Sequence, residues 1–428
     1  MDNSRILIEN AVLNGKRSDI FIANGLIDEI KEFGEGCVAW REEVMKNGTA
    51  VLDAAGKYAI PGFVNMHTHS AMTLMRGLCE DEMLQTWIDA IWKVETRLDD
   101  ELIYWGTKLA CVEMLKTGTT TFNDQYWRID IAKKAVEEMG LRGVHSYVFL
   151  NHFNKELAEK QKRECLEKYQ LFASEGKTDR FTVSVHAIYS VDADTIRWAS
   201  DFAREHNLLL HVHLAETQRE YEDSLAQHGM TPTAYLDSLG VLGPEVLAAH
   251  CVWLSPQDIE IMAKRNVKAV HNINSNLKLS SGYKFKYQEM RDAGVTVCIG
   301  TDGAASSNNL DMLESMKTSA LLQKAWRKDP KAMPLYELMD CATVNGAKAL
   351  RLNTGVIAPG YSADLCLVDV DNYAFTPNIN FLANLIYSAN SSCIDTVICN
   401  GKILMNGRKV EGEEEICKNV NRVFKRLL

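Results

Sequence analysis

The stretch LLLHVHLAE, Leu208 to Glu216, is an apolar run that turns polar at one end. Such a run reads as a strand buried on both faces, as in a parallel sheet covered by helices. Seven further segments share this build: AIPGFVNMH (59–67), TTTFND (119–124), GVHSYVF (143–149), FTVSVHAIY (181–189), VLAAHCVW (246–253), VKAVHNIN (267–274) and VTVCIGTDG (295–303). Helical periods lie between them. Leu102, Trp105, Leu109, Val112 and Leu115 recur at three- and four-residue spacing, and Gly118 closes the helix. Eight such units in roughly 300 residues predict an α/β protein with a (β/α)8 TIM-type barrel. An open doubly wound sheet is the alternative, but neither GxGxxG nor GxxxxGK[ST] is present to mark a nucleotide crevice.

The two ends differ from the middle. ILIENAVL and SDIFIANGLIDEI near the start, and DLCLVDVD and DTVICNGKILMNG near the end, are short strand-like runs. Asn14-Gly15, Asn24-Gly25, Asn400-Gly401 and Asn406-Gly407 punctuate them, a strong hairpin signal. Both ends are expected to form one small β-sandwich, from residues 1–57 and 357–428, around a barrel at 58–356.

Bulk properties narrow the partners. With 428 residues, 46% hydrophobic and 24% charged, the chain is long enough for a barrel and an accessory domain. A net charge of −10 argues against nucleic acid and anionic membrane, and for a small-molecule substrate. MDNSRILIEN lacks the basic and apolar regions of a signal peptide, so a cytoplasmic location is expected. The eleven cysteines are scattered and form no CxxC pair, and read as buried thiols. Homo-oligomerisation is left open.

Barrel enzymes build their sites at the C-terminal ends of the strands. There stand His67 and His69, His186, His213 with Glu216, His250, His271 and Asp302. Alternate residues of a strand share a face, so His67 and His69 aim together into the mouth; of His211 and His213, at the same spacing, only one need be a ligand. His145 and His271 read more readily as core residues, and His152, His206 and His228 as solvated. Burying so many imidazoles and carboxylates is costly without a counter-ion. Three imidazoles and one carboxylate suit one divalent transition ion, Zn²⁺ first and Fe²⁺ second. Glu216 is placed to act as general acid/base beside it, although a carboxylate there could also cap the following helix.

PGFVNMHTHSAMTLMRG, HVHLAET, AAHCV, HNINSNLKLSSG and GTDGAASSN resemble the amidohydrolase superfamily, in its methylthioadenosine and S-adenosylhomocysteine deaminase branch, related to the triazine chlorohydrolases. The resemblance covers nearly the whole chain. It implies that His67, His69, His213 and Asp302 bind the metal, Glu216 shuttles protons, His250 polarises the nucleophile and Asp302 takes its proton. It also implies that Glu95, in IWKVE, accepts hydrogen bonds from ribose hydroxyls and that His186 contacts the sugar; Trp87 and Trp92 would flank the 5′ substituent. The implied reaction is hydrolytic deamination of an adenine nucleoside to its inosine analogue. The single ion follows because FTVSVHAIY offers no lysine for a two-metal bridge. Lys93 and Ile273 replace prolines usual in the family, and Tyr147 is expected where many relatives carry an arginine. Guanine, pterin or cytosine deamination and triazine hydrolysis share the metal site, and a noncatalytic scaffold is the reading from outside enzymology.

Overall fold

A computed structural model describes residues 5–34, 36–46, 48–82 and 84–427. Two sheets organise them. The first begins with β1 (Arg5–Leu13), β2 (Lys16–Ala23), β3 (Leu26–Glu32), β4 (Ala50–Asp53) and β5 (Lys57–Pro61). The second runs through β6 (Phe63–Thr68), β7 (Thr119–Tyr126), β8 (Arg142–Phe149), β9 (Phe181–Val185), β10 (Leu210–Leu214), β11 (Val246–His250), β12 (Lys268–His271) and β13 (Val297–Ile299). The chain returns to the first sheet with β14 (Leu365–Asp369), β15 (Ile394–Cys399), β16 (Lys402–Asn406) and β17 (Lys409–Val410).

The second sheet is parallel throughout, in sequence order from β6 to β13. The Asp302 N–H donates to the His67 carbonyl at 2.9 Å, which brings the segment after β13 against β6. All eight expected strands are present, and β7, β8, β10 and β11 are buried along their whole length. The fold is the expected eight-stranded barrel with an added sheet from both termini.

That added sheet is one mixed nine-stranded sheet, in which β14 pairs antiparallel with β5 (Leu365 opposite Pro61, Asp369 opposite Lys57). Ala59 to Pro61, taken above as the start of the first barrel strand, belongs here, because Gly62 interrupts the run before Phe63 enters the barrel. Three of the four Asn-Gly turns behave as expected: Asn14, Gly15, Asn24, Gly25, Asn400 and Gly401 all have positive φ, the conformation of a two-residue hairpin loop, whereas at the fourth Asn406 ends β16 and the loop is Gly407-Arg408. The helix Glu413–Phe424 leaves the sheet and packs on the barrel helix Asp100–Lys116, where Arg422 pairs with Glu101.

Candidate metal centre and substrate recess

The strand-end residues converge. Ligand atoms of His67, His69 and His213 lie within 4.8 Å of one another, and so do those of His67, His250 and Asp302. Asp302 Oδ1 is 3.4 Å from His67 Nε2 and 3.3 Å from His69 Nε2. Left-handed turns aim these groups. Asp302 (φ 64), His250 (φ 73), Cys251 (φ 51) and Ala215 (φ 50) each take a conformation costly for a residue with a Cβ. Their cluster at one end of the barrel marks backbone strain held in the service of a site.

Each imidazole is held by its far nitrogen. His69 Nδ1 donates to the Gln125 carbonyl at 2.7 Å and His213 Nδ1 to the His186 carbonyl at 2.8 Å. A carbonyl accepts only, so the proton sits on Nδ1 and Nε2 keeps its lone pair for the centre. His250 Nδ1 lies 2.8 Å from Asn276 Oδ1, and His67 Nδ1 lies 3.0 Å from His211 Nε2. His211, the other histidine of the HVH pair, therefore stands behind the cluster. His67 Nε2 is sealed from solvent with no hydrogen-bond partner.

The electrostatics call for a cation. Burial holds His67 at about 4 and His213 far below the ordinary imidazole value, so both stay neutral. Asp302 is buried too, but the two imidazoles facing it keep its carboxyl well below the carboxylate range. His69 rises to about 9: burial opposes its charge, and the Asp302 carboxylate prevails. A carboxylate that draws a proton onto a buried imidazole would hold a divalent ion in its place. The donor set of imidazole nitrogens with one carboxylate oxygen fits a borderline transition ion, better than Ca²⁺ or Mg²⁺.

Glu216, two residues beyond β10, is 8% exposed, and burial raises its pKa. Its Oε1 accepts from the Ser281 hydroxyl at 3.1 Å, and Oε2 is 3.8 Å from His250 Nε2. It does not cap the helix Gln218–His228, whose N-cap is Thr217. The capping role open to it in the sequence is thus filled by its neighbour.

Above the cluster lies a recess lined by Trp87, Ile91, Glu95, Tyr126, His186 and Leu279 among others. Glu95 ends the helix Leu84–Glu95, and its Oε1 accepts from the Tyr126 hydroxyl at 2.8 Å. Burial pushes its carboxyl up to about 7, against the Tyr126 hydrogen bond. His186 Nδ1 is 2.7 Å from the Ser190 hydroxyl, and Trp92 meets His186 edge-on at 6.0 Å. The recess is narrow, about 80 Å³, and adjoins a chamber of about 690 Å³; Leu84, Ile88, Trp92, Tyr189 and Leu279 line both.

Not every expectation holds. Tyr147 is buried and turns its hydroxyl away to Glu164 at 3.0 Å; the β8 residue that lines the recess is Val148. Side chains alternate along a strand, so the one-residue step decides the direction. His145 packs near Phe172, and His271 stacks on Phe285 at 3.8 Å, both outside the cluster as expected. Lys93 lies within an unbroken helix, and Ile273 is the first residue of the helix Ile273–Lys278, a position where proline and other residues interchange. Gln125, Tyr126, Ser281 and Asn276 were missed in the sequence. Reading TTTFND two residues further would have found the first pair by the strand-end rule.

Residues 58–404 match the amidohydrolase family. The chain belongs to the amidohydrolase family. It is 44% identical over 388 residues to a 5-methylthioadenosine/S-adenosylhomocysteine deaminase of Archaeoglobus fulgidus, covering 88% of this chain and 90% of that one. It is 41% identical over 421 residues to a 5′-deoxyadenosine deaminase of Methanoregula boonei, covering 97% and 93%. Among solved structures, an adenosine deaminase from Xanthomonas campestris with bound zinc superposes with a TM-score of 0.90 at 29% identity, covering 99% of this amidohydrolase and 98% of that chain.

Proposed function

We infer that this amidohydrolase converts 5′-substituted adenine nucleosides, of the methylthioadenosine, S-adenosylhomocysteine or 5′-deoxyadenosine type, to their inosine analogues and ammonia. The observation that carries the reading is the convergence of His67, His69, His213 and Asp302 beneath a recess that also holds Glu216, His250 and Glu95. Relatives bearing the names of such deaminases support it over nearly the full chain. His67, His69, His213 and Asp302 would hold one ion, with Zn²⁺ the first candidate. When bound, that ion supplies a Lewis acid that brings the pKa of water toward neutrality.

The remaining steps belong to the protein. Asp302 accepts a proton from the attacking water, and His250 orients that water toward C6 of the ring. Glu216, in its acid form, donates to N1 and relays a proton to the departing ammonia. Glu95 accepts hydrogen bonds from the two ribose hydroxyls, and His186 lies beside the sugar. Trp87 and Trp92 cover the 5′ end. The adjoining chamber includes the polar side chains of Gln218, Arg219 and Asp223, which favours a long polar 5′ substituent over a methyl group.

All eleven cysteines are free thiols, which supports a reducing cytoplasmic setting. We divide the chain functionally into the barrel and the terminal segments that brace it, with the first boundary expected at 57/58 moved to Gly62 because β5 (Lys57–Pro61) lies in the terminal sheet, and the second kept at 356/357. The test is a spectrophotometric deamination screen of methylthioadenosine, S-adenosylhomocysteine, 5′-deoxyadenosine and adenosine against free adenine, guanine and cytosine. Faster turnover of any free base than of every nucleoside would overturn the assignment.

A further inference from the structure

The helix Gln218–His228 opens with a cap that overshoots its usual target. Thr217 is the N-cap, and its hydroxyl accepts the Glu220 N–H at 3.0 Å. In the reciprocal form of this motif the acidic side chain three residues on returns to the N–H of the cap residue itself. Ser255 and Asp258 do this elsewhere in the chain, Asp258 accepting the Ser255 N–H at 2.7 Å. Glu220 reaches further. Its Oε1 accepts the N–H of Ala215 at 3.0 Å, and its Oε2 accepts the N–H of Glu216 at 2.8 Å.

Those two amides bracket the turn that aims Glu216. Ala215 stands at φ 50, and its carbonyl accepts the N–H groups of Val252 and Trp253 at 3.0 and 2.8 Å. The short segment between β10 and the helix is therefore gripped from both sides, by Glu220 on its amides and by the residues that follow β11 on its carbonyl. Glu220 is only 4% exposed, and its burial beside a second buried carboxylate opposes ionisation. Helix capping alone does not account for that expense, because Thr217 already caps the helix and the Thr217 amide is not what Glu220 serves.

We propose that Glu220 is a positioning residue for the proton shuttle: through the Ala215 and Glu216 amides it holds the left-handed turn that sets Glu216 beside Ser281 and His250. This rests on the reading of Glu216 as the shuttle. A carboxylate displaced by about an ångström from a proton-transfer geometry loses up to about a hundredfold in rate. The loss should therefore fall on kcat, and only while Glu216 can still exchange a proton.

The experiment is a double-mutant cycle on the metal-loaded full-length enzyme. Glu220→Ala leaves both amides without an acceptor, while Glu220→Gln keeps one oxygen and the side chain's shape. Each is made alone and on Glu216→Gln. Expected are a kcat lowered roughly 10- to 100-fold in Glu220→Ala with little change in KM, a smaller loss in Glu220→Gln, unchanged ion content, and faster amide exchange across 215–217. On Glu216→Gln, the Glu220 substitutions should cost under about threefold. Equal losses in both backgrounds, or a lowered melting temperature with wild-type kcat, overturn the proposal. Full activity in Glu216→Gln alone would instead remove the shuttle reading, and the positioning role with it, whatever the exchange data show about the turn.

Discussion

The two ends of the barrel both bury charge, and they settle it in opposite ways. At the N-terminal end Arg142, 4% exposed, pairs with the fully buried Asp364 and with Asn400, tying β8 to the terminal sheet. Asp364 also accepts the Asn400 N–H at 2.6 Å and the Thr354 hydroxyl. The Arg142–Asp364 pair thus has its answer within the protein. At the C-terminal end Asp302 faces His67, which burial keeps neutral, and His69, onto which it draws a proton, while His67 Nε2 makes no hydrogen bond. Buried polarity that is complete is architecture, and buried polarity that converges while incomplete is an invitation to a ligand.

The sharpest way to break this contrast is to empty each end in turn. His69→Ala or Asp302→Ala should abolish bound ion and detectable turnover together, with elemental analysis reading about one ion per chain in the parent and almost none in the variants. Two ions per chain in the parent would contradict the mononuclear centre. Glu216→Gln should keep its ion but lose turnover by roughly 10²- to 10⁴-fold, since an amide preserves shape without exchanging a proton. Arg142→Ala should instead spare the site and weaken the fold. Leaving Asp364 buried and unpaired should cost about 3–5 kcal/mol of stability by denaturant titration, while the folded fraction still binds its ion. Loss of the ion there, with stability intact, would erase the distinction between the ends.

Smaller effects are expected at the recess. Glu95→Ala should cost about 2–4 kcal/mol in kcat/KM for a ribonucleoside, and clearly less for its 2′-deoxy analogue, which has one hydroxyl fewer to offer. Equal losses for the two would remove Glu95 from the sugar. The gentlest probe is pH. Burial raises the Glu95 carboxyl to about 7, so it is protonated below that value and can accept fully from both hydroxyls only above it. KM for a ribonucleoside should accordingly fall as pH rises through about 7, and Glu95→Gln should flatten that dependence.

Most of the barrel was legible because its strands are continuous apolar runs, and a continuous run fixes burial on both faces without knowledge of neighbours. The candidate centre was legible for the same reason: His67, His69, His213 and Asp302 stand where those runs end. What escaped depends on single-residue geometry. Tyr147 and Val148 differ by one step along a strand and so point oppositely. Gln125, Asn276 and Glu220 act through bonds to imidazoles and amides that adjoin only after left-handed turns fold them back. The terminal sheet was foreseen from its Asn-Gly hairpins, whereas its joining into one mixed sheet through β5 and β14 depends on a pairing across about three hundred residues, which no local pattern encodes.

That pairing has a bearing on how the chain is made. As the protein leaves the ribosome, β5 emerges early, and its antiparallel partner β14 follows only after the whole barrel has been synthesised. Until then Ala59 and Ile60, both nearly buried in the finished sheet, sit on an open edge able to recruit a strand from another nascent chain. Completion of the terminal sheet is thus a late, long-range event, and the yield of native protein should be sensitive to crowding and translation speed in a way that the finished enzyme's stability is not.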